Sequence, residues 1–561
     1  MSKNHLAALP LGGVGEIGHN CMVYECNGDH IVVDAGVSFA DETAPGTDII
    51  VPDTRYIREH AKSLKGVFIT HAHEDHIGAM GYLWDDFNGA PVYVTAFAKQ
   101  VLLSKLTELG IKPEKGQLIE VKAGEKLKAG NFEAEYIPVA HSIPEAFAIA
   151  FKTSYGTFVH TGDYKFDDAP NFGQKTDEKR MKELGKEGVL AVLGDSTNSF
   201  KMSPAGSEAD IIPHLTDVIK NAKQKVVFVS FASNIGRVLQ VAQIAADNGR
   251  RVCFLGRTVN KMLQHCKTLG YFPAGLANSI VDAEEIKGFP PEKTLVFASG
   301  TQGESNASLT RLSQGADVRG VKLKEGDTVI MSSKMIPGNE RAILNTINGL
   351  YKRGCIVLSE LNDKQIHVSG HGSRADMEKM YAMLKPQMVI PVHGEPAQLI
   401  ENAKLAKSLG YGALNVFNGQ KIVMAGKDKA EYPHIQQHQY PHGRNYIDGL
   451  NILDNDPLIL KERRKLSFDG VISATLVIKA SNGEILSDVQ LTSKGVIDEQ
   501  AQEDILKEAA IATTSALERV FAGGQVDSPQ KAAEVMEKTI KRALKINRGK
   551  QPTVLTHIIT V

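Results

Sequence analysis

Cysteine is scarce and scattered in this chain: Cys21, Cys26, Cys253, Cys266 and Cys355 are odd in number and form no CxxC pair. That pattern excludes a disulfide scaffold and fits a reduced compartment, so a cytoplasmic protein is expected. No apolar run approaches the roughly 20 residues that span a bilayer, so no membrane partner is expected. The start, Met1-Ser2-Lys3-Asn4-His5-Leu6, lacks the basic and then long apolar segments of a secretory leader. Excess charge of one sign is missing too, the formal net charge being −1. A nucleic acid would have to meet a local basic groove rather than a global field. What remains is a globular composition, 42% hydrophobic and 23% charged over 561 residues, too long for one core.

Histidine, by contrast, is concentrated. Thr70-His71-Ala72-His73-Glu74-Asp75-His76 places three imidazoles and a carboxylate within six residues. The run before it, Gly66-Val67-Phe68-Ile69-Thr70, is short, apolar and β-branched and predicts a buried strand, while Ile77–Leu83 predicts the start of a helix. A lone histidine after a strand is usually a turn residue. Four donors this close in an apolar setting are costly to bury without a partner, and a divalent cation is the natural one.

Other strands end the same way. Ala134–Ala140 runs into His141, Gly156–Gly162 into Asp163, and Gly188–Gly194 into Asp195. Such residues on neighbouring strands, all at one end, describe an active site at a sheet edge. Asp34 also closes an apolar strand, and a turn or supporting hydrogen bond is the role expected of it. Gly13, Gly15 and Gly18 have a GxGxxG look, but no long strand precedes them and no clear helix follows. A glycine-rich hairpin is expected there, not a dinucleotide site.

From about Ser207 strands and helices alternate in a doubly wound pattern, with strands near Lys225–Ser230, Arg251–Gly256, Thr294–Ala298 and Thr328–Met331. The loops that follow, including Ser230, Ser233 and Asn234, and then Ser332, Ser333 and Lys334, suit phosphate through hydroxyls and backbone N–H groups. The first texture then returns. His367-Val368-Ser369-Gly370-His371 precedes a helix at Arg374–Leu384, and Gln387–Val392 ends in His393. An α/β domain inserted into the metal domain explains the interruption. Residues 431–460, with His434, His438 and His442, read as a linker, and Lys461-Glu462-Arg463-Arg464-Lys465 as a solvated face or interface. A small C-terminal domain follows, with strands at Gly470–Ala480 and Ile485–Leu491 turned by Ser481-Asn482-Gly483, helices at Ala501–Phe521 and Pro529–Lys545, and a last strand at Thr553–Val561.

A metal domain interrupted by an α/β insert, with Asp195, Ser369-Gly370-His371 and Pro391-Val392-His393-Gly394-Glu395 in this order, resembles the β-CASP nucleases of the metallo-β-lactamase superfamily. The opening Leu11–Gly18, the loop Ile336-Pro337-Gly338-Asn339-Glu340 and the small C-terminal domain resemble the ribonuclease J family within that group. The loop Ala298-Ser299-Gly300-Thr301-Gln302 departs from the family's usual Thr-Gly-Ser-Gln but keeps its hydroxyl and glycine character.

The resemblance implies an α/β fold: a metallo-β-lactamase αββα sandwich interrupted by a β-CASP insert, plus a small α+β C-terminal domain. Its bounds would be 1–206 and 363–430 for the sandwich, 207–362 for the insert, 431–460 for the linker and 461–561 for an oligomerisation domain. It also implies two divalent metal ions, Zn2+ first and Mn2+ compatible by ligand type. His71, His73 and His141 would hold one ion; Asp75, His76 and His393 the other; and Asp163 would bridge. Asp195 would orient a ligand histidine, and His371 would protonate the leaving oxygen or stabilise the phosphate. A hydroxide shared by the ions would attack phosphorus, with Asp75 as proton acceptor, leaving a 5′-phosphate and a 3′-hydroxyl.

The implied activity is maturation and decay of single-stranded RNA, 5′ to 3′ from a monophosphorylated end and internally, by a dimer or tetramer, within reach of an RNA-decay assembly. Ser230, Ser233, Asn234, Ser332, Ser333, Lys334, His367, Ser369, Gly370 and His371 are the candidates for holding that end. A DNA-acting nuclease of the same group is the alternative, because the ion chemistry is identical.

Overall fold

The computed structural model describes residues 4–40, 43–336, 338–426, 433–449, 451–453, 458–498, 503–521 and 525–561. The chain forms two units, Met1–Ser38 with Ile50–Arg444, and Phe39–Ile49 with Asn445–Val561.

In the first unit two sheets share a core. One has eight strands, in the order His434–Gln439, Gln420–Gly426, His5–Gly12, Cys21–Cys26, Asp29–Val33, Leu64–Phe68, Val92–Val94 and Leu118–Glu120. The other has seven, in the order Gly412–Ala413, Met388–Val392, Val189–Asp195, Gly156–His160, Phe147–Thr153, Phe132–Pro138 and Lys126–Ala129. Side chains alternate across a strand, and Phe147–Thr153 shows the consequence. Phe147, Ile149 and Phe151 enter the core shared with Leu6, Tyr24, Phe68 and Ile422 of the first sheet. Ala148 and Ala150 point the other way, against Met181, Leu184, Met377 and Met380 of the covering helices Glu178–Glu187 and Arg374–Leu384. Both faces are buried, so the strand reads as a continuous apolar run.

The insert is a fully parallel sheet, Arg251–Leu255, Thr294–Ala298, Val226–Val229, Thr328–Met331 and Ile356–Leu358. Its helices start at chemically marked points: Ser207 and Asp210 form a capping box before Glu208–Asn221, and Asn234 caps Ile235–Asp247. In the second unit, Val471–Ile478 lies between Gln490–Lys494 and Thr553–Thr560, with every second residue buried beneath Leu517, Ala532, Met536 and Ile540. Among the described residues no helix is long and apolar enough to cross a membrane.

Three expectations need correction. Among the described residues of the expected linker there is built structure: His434–Gln439 is the edge strand beside Gln420–Gly426, and Arg444–Asp448 pairs with Asn451–Leu453; residues 431–432, 450 and 454–457 lie outside the described residues. The helix expected after the histidine cluster begins earlier, as Glu74–Ile77, because acidic Glu74 and Asp75 suit a helix N-terminus, where backbone N–H groups point outward. The strand after the Ser481-Asn482-Gly483 turn is Gln490–Lys494 rather than Ile485–Leu491, only Ile485 making an isolated bridge to Ile478. Pro337 of the expected loop and residues 501–502 of the expected helix lie outside the described residues.

Candidate metal centre

Gly156–His160, Val189–Asp195 and Met388–Val392 are adjacent and parallel, so Asp163, Asp195 and His393 leave the same edge of the second sheet. Phe132–Pro138 delivers His141 there, and Leu64–Phe68 of the first sheet brings the His71–His76 loop opposite. Gly36 makes room for that loop: a Cβ on it would overlap the Asp75 carbonyl. His393 itself has φ 51°, a left-handed conformation uncommon for a residue with a side chain. It is held by Ser196, whose N–H donates to the His393 carbonyl, and by the glycine-rich hairpin, where the Gly15 N–H donates to the Gly394 carbonyl at 3.0 Å.

Two constellations result. His71, His73, His141 and Asp163 can offer ligand atoms within 4.8 Å of one another, and so can Asp75, His76, Asp163 and His393. His71, His76, His141, Asp163 and His393 are buried, while His73 and Asp75 are half-buried.

The proton positions can be read from the far ring atoms. His141 Nδ1–H donates to the Gly370 carbonyl at 2.7 Å. Thr70 Oγ1 gives its proton to Asp34 at 2.8 Å and so accepts from His71 Nδ1 at 3.0 Å. Both rings therefore turn an Nε2 lone pair toward His73 Nδ1, at 2.9 Å and 3.1 Å. One His73 nitrogen carries at most one proton, so three nitrogens converge with at least one lone pair unmatched. On the other side, His76 Nδ1–H donates to Asp34 at 2.7 Å, and its Nε2 faces Asp163 Oδ2 at 3.2 Å and Asp75 Oδ2 at 3.5 Å. His393 Nδ1 lies 2.9 Å from Asp163 Oδ1 and its Nε2 3.3 Å from Asp75 Oδ2, yet neither Nε2 nor Oδ1, both buried, makes a well-directed hydrogen bond. Unmatched lone pairs and carboxylates gathered in a buried site fit divalent cations.

Electrostatics separates the two sides. Burial, with the neighbouring rings, holds His71 and His141 well below the ordinary histidine value and His73 down to about 4. Burial opposes charge on His76 and His393 as well, but Asp163 overrides it, aided by Asp75 and Asp34 at His76 and by Asp195 and Asp75 at His393; both are lifted well above the ordinary value. Asp163 lies well below the carboxylate range, its burial outweighed by His393, His76 and His371.

Asp195 accepts from His371 Nδ1 at 2.9 Å and lies 3.5 Å from His393 Nδ1. Asp34, with φ 62°, receives the Thr70 N–H and hydroxyl as well as the His76 ring, so it supports the centre from behind. Of the phosphate candidates, Ser230 Oγ is buried without a partner, and Lys334 is exposed. Ser233 is half-buried, Ser333 is buried, and Asn234 caps a helix. The Ser332 hydroxyl is already used, donating to the Ile366 carbonyl at 2.6 Å. Ser369 Oγ accepts from Asn198 Nδ2 at 2.9 Å, and Gly370 contributes the carbonyl that holds His141.

Family models match in chain order. "Metallo-beta-lactamase superfamily" covers residues 14–172, "Ribonuclease J, beta-CASP domain" 223–350, "Zn-dependent metallo-hydrolase RNA specificity domain" 362–417 and "Ribonuclease J C-terminal domain" 458–561. The chain is 34% identical to ribonuclease J of Sinorhizobium meliloti, over 99% of this chain and 97% of that protein. Ribonuclease J of Mycobacterium tuberculosis is 33% identical over 100% and 98%. The chain belongs to the ribonuclease J family. Ribonuclease J2 of Bacillus subtilis is 32% identical over 91% of this chain and 90% of that protein. A solved protein of unknown function from Enterococcus faecalis V583 shares the fold, with TM-score 0.51 and 17% identity over 74% of this chain and 100% of that one.

As a ribonuclease J family member, the chain combines a metallo-β-lactamase domain, a β-CASP insert and a C-terminal domain. It is a hydrolytic nuclease that binds divalent metal.

Several residues around this ribonuclease J centre escaped sequence reasoning. Asn20 donates to the Asp75 carbonyl and contacts His76 Nε2, and Asn198 ties Ser369 and the His371 carbonyl. Arg237 gave one signal, a lone charge in an otherwise apolar helical stretch, Ile235-Gly236-Arg237-Val238-Leu239.

Proposed function

We propose that the chain is a metal-dependent ribonuclease of RNA maturation and decay that degrades 5′-monophosphorylated RNA from 5′ to 3′ and also cuts internally. The observation that carries this reading is the convergence of three imidazole nitrogens on one side and of His76, His393 and Asp75 on the other, with Asp163 shared between them. His71, His73 and His141 would hold one ion, Asp75, His76 and His393 the second, and Asp163 both. Imidazole and carboxylate donors favour Zn2+, with Mn2+ also compatible. Two such ions supply charge to a phosphate and lower the pKa of bound water.

The protein's own groups do the remainder. Asp34 and the Gly370 carbonyl hold the Nδ1–H of His76 and His141, so their Nε2 atoms face inward, the His141 one as a lone pair and the His76 one becoming a lone pair where an ion would displace its proton. Asp75 accepts the proton of the attacking water. Asp195 and Asp163 raise the pKa of His371 against its burial, which keeps it protonated for donation to the leaving oxygen. Ser230, Ser233, Asn234, Ser333, Lys334 and His367 would receive the 5′-phosphate, with Ser332, Ser369 and Gly370 framing them. Phosphate contacts position a strand without reading bases, so sequence preference is weak.

We assign 1–206 and 363–430 to the sandwich and 207–362 to the insert. Leu555, Ile559 and Val561 stand exposed at the edge strand Thr553–Thr560, which supports a homodimer or tetramer through 461–561. Five buried free cysteines support a cytoplasmic location, where an RNA-decay assembly would be met.

The test is digestion of an end-labelled 5′-monophosphate RNA beside matched 5′-hydroxyl RNA and DNA. Mononucleotides and internal fragments from the first, sensitivity to a chelator and intact DNA are expected. Equal cleavage of DNA, or full activity in His76→Ala, would overturn the reading.

A further inference from the structure

The segment from Ile366 to His371 leads from the insert back to the metal centre, and its residues are tied one after another. Ser332 Oγ holds the Ile366 carbonyl, Asn198 Nδ2 donates to Ser369 Oγ, and the Gly370 carbonyl accepts from His141. The two residues between are held by a single side chain. Arg237 Nη1 donates to His367 Nδ1 at 2.7 Å, and Arg237 Nη2 donates to the Val368 carbonyl at 2.9 Å.

Arg237 lies on Ile235–Asp247 and is 1% exposed. Glu208 neutralises it, accepting Nε at 3.0 Å and Nη2 at 2.5 Å, and the Glu208 N–H donates to Asp167 Oδ2 at 3.0 Å. Burying a guanidinium is costly unless all its donors are used. Here one Nη1 and one Nη2 N–H go to this one segment, and Nη1 also reaches the Ser332 carbonyl and hydroxyl at 3.3 Å.

A guanidinium cannot accept a hydrogen bond, so His367 Nδ1 must carry a lone pair and the proton of the neutral ring sits on Nε2. The groups acting on His367 from the surrounding elements are Arg237, Lys201 and Lys334, all cationic, together with the Ser332 backbone. No carboxylate among them favours a second proton.

We propose that Arg237 is a positioning residue for the nuclease reaction: it locks His367 as a neutral Nε2–H donor and anchors Val368 so that Gly370 and His371 reach the metal centre in register. This inference rests on the nuclease reading above, and its test separates the two.

The test uses the full metal-loaded chain as wild type, Arg237→Lys and Arg237→Gln, with 15N-labelled histidine and His367→Gln to assign the His367 signals. In the wild type, His367 is expected as the Nε2–H tautomer, unchanged between about pH 8 and 6. In Arg237→Gln, it should become a tautomer mixture that titrates in that range. In both variants kcat should fall about 100-fold, the scale of a small misplacement, with two ions still bound per chain and KM for 5′-monophosphate RNA changed less. A wild-type His367 with its proton on Nδ1, kcat within about threefold of wild type, or loss of metal in step with activity would overturn the proposal. If both variants fail to fold, the wild-type tautomer still decides. If the wild type does not cut RNA, the nuclease reading falls while the tautomer result stands on its own.

Discussion

The two halves of the metal centre use the same ring at similar depth, yet they treat protons in opposite ways. His71 and His141 meet mainly other imidazoles and the rim of one shared carboxylate, and burial leaves them neutral. His76 and His393 meet three carboxylates each, and the same burial loses to that charge. Depth alone therefore does not decide the charge of a buried histidine; the number of acids around it does. On the proposed assignment a cation would enter the first half without displacing protons and the second only by displacing them.

The sharpest way to break this contrast is to remove what the halves share. Asp163→Asn should lower kcat by roughly 10³-fold or more and reduce the metal count from two ions by plasma emission. Next come the single-sided changes. His71→Ala and His76→Ala should each cost about 10²- to 10³-fold in kcat and one ion, and a variant that keeps both ions would dissolve the distinction.

Asp34→Asn acts on His76 directly and on His71 through the Thr70 hydroxyl. A 10- to 100-fold loss of affinity is expected for the ion beside His76 in a chelator competition, with a smaller loss for the other.

The mildest effect is in pH. Ions entering the His76–His393 half should release protons, seen by calorimetry in buffers of different ionisation enthalpy, and affinity there should weaken about tenfold per pH unit for each proton displaced. In chelated protein, His71 and His141 refuse protons that the unfolded chain accepts, so they cost stability as pH falls below about 6.5. His76 and His393 act with the reverse sign: their contribution is full below that value and fades as pH rises through their raised folded values. Denaturation followed across pH should show both slopes, each removed by the matching alanine variant.

Much of the frame was legible because it is local. Strands such as Thr294–Ala298 and Thr328–Met331 stand where their apolar runs place them, and the helix Arg374–Leu384 has the expected bounds, with Ser373 and Asp376 forming a capping box at its start. The segment His434–Gln439 was misread as linker because an edge strand with an exposed face keeps no apolar alternation. Arg237 was passed over because a charge reads as surface until the elements packed against it are known.

By itself, the sequence determined which donors stand at strand ends, that a divalent cation suits them, and that an α/β stretch interrupts the segments carrying them, since these follow from residue type and short-range pattern. Only the tertiary structure decided which ring nitrogen faces inward and which histidines the surrounding carboxylates favour in the charged form. Those properties depend on what the far ring atom meets: Asp34 for His76 across 42 positions, Asp195 for His371 across 176, and the Gly370 carbonyl for His141 across 229. No local pattern encodes a partner that distant.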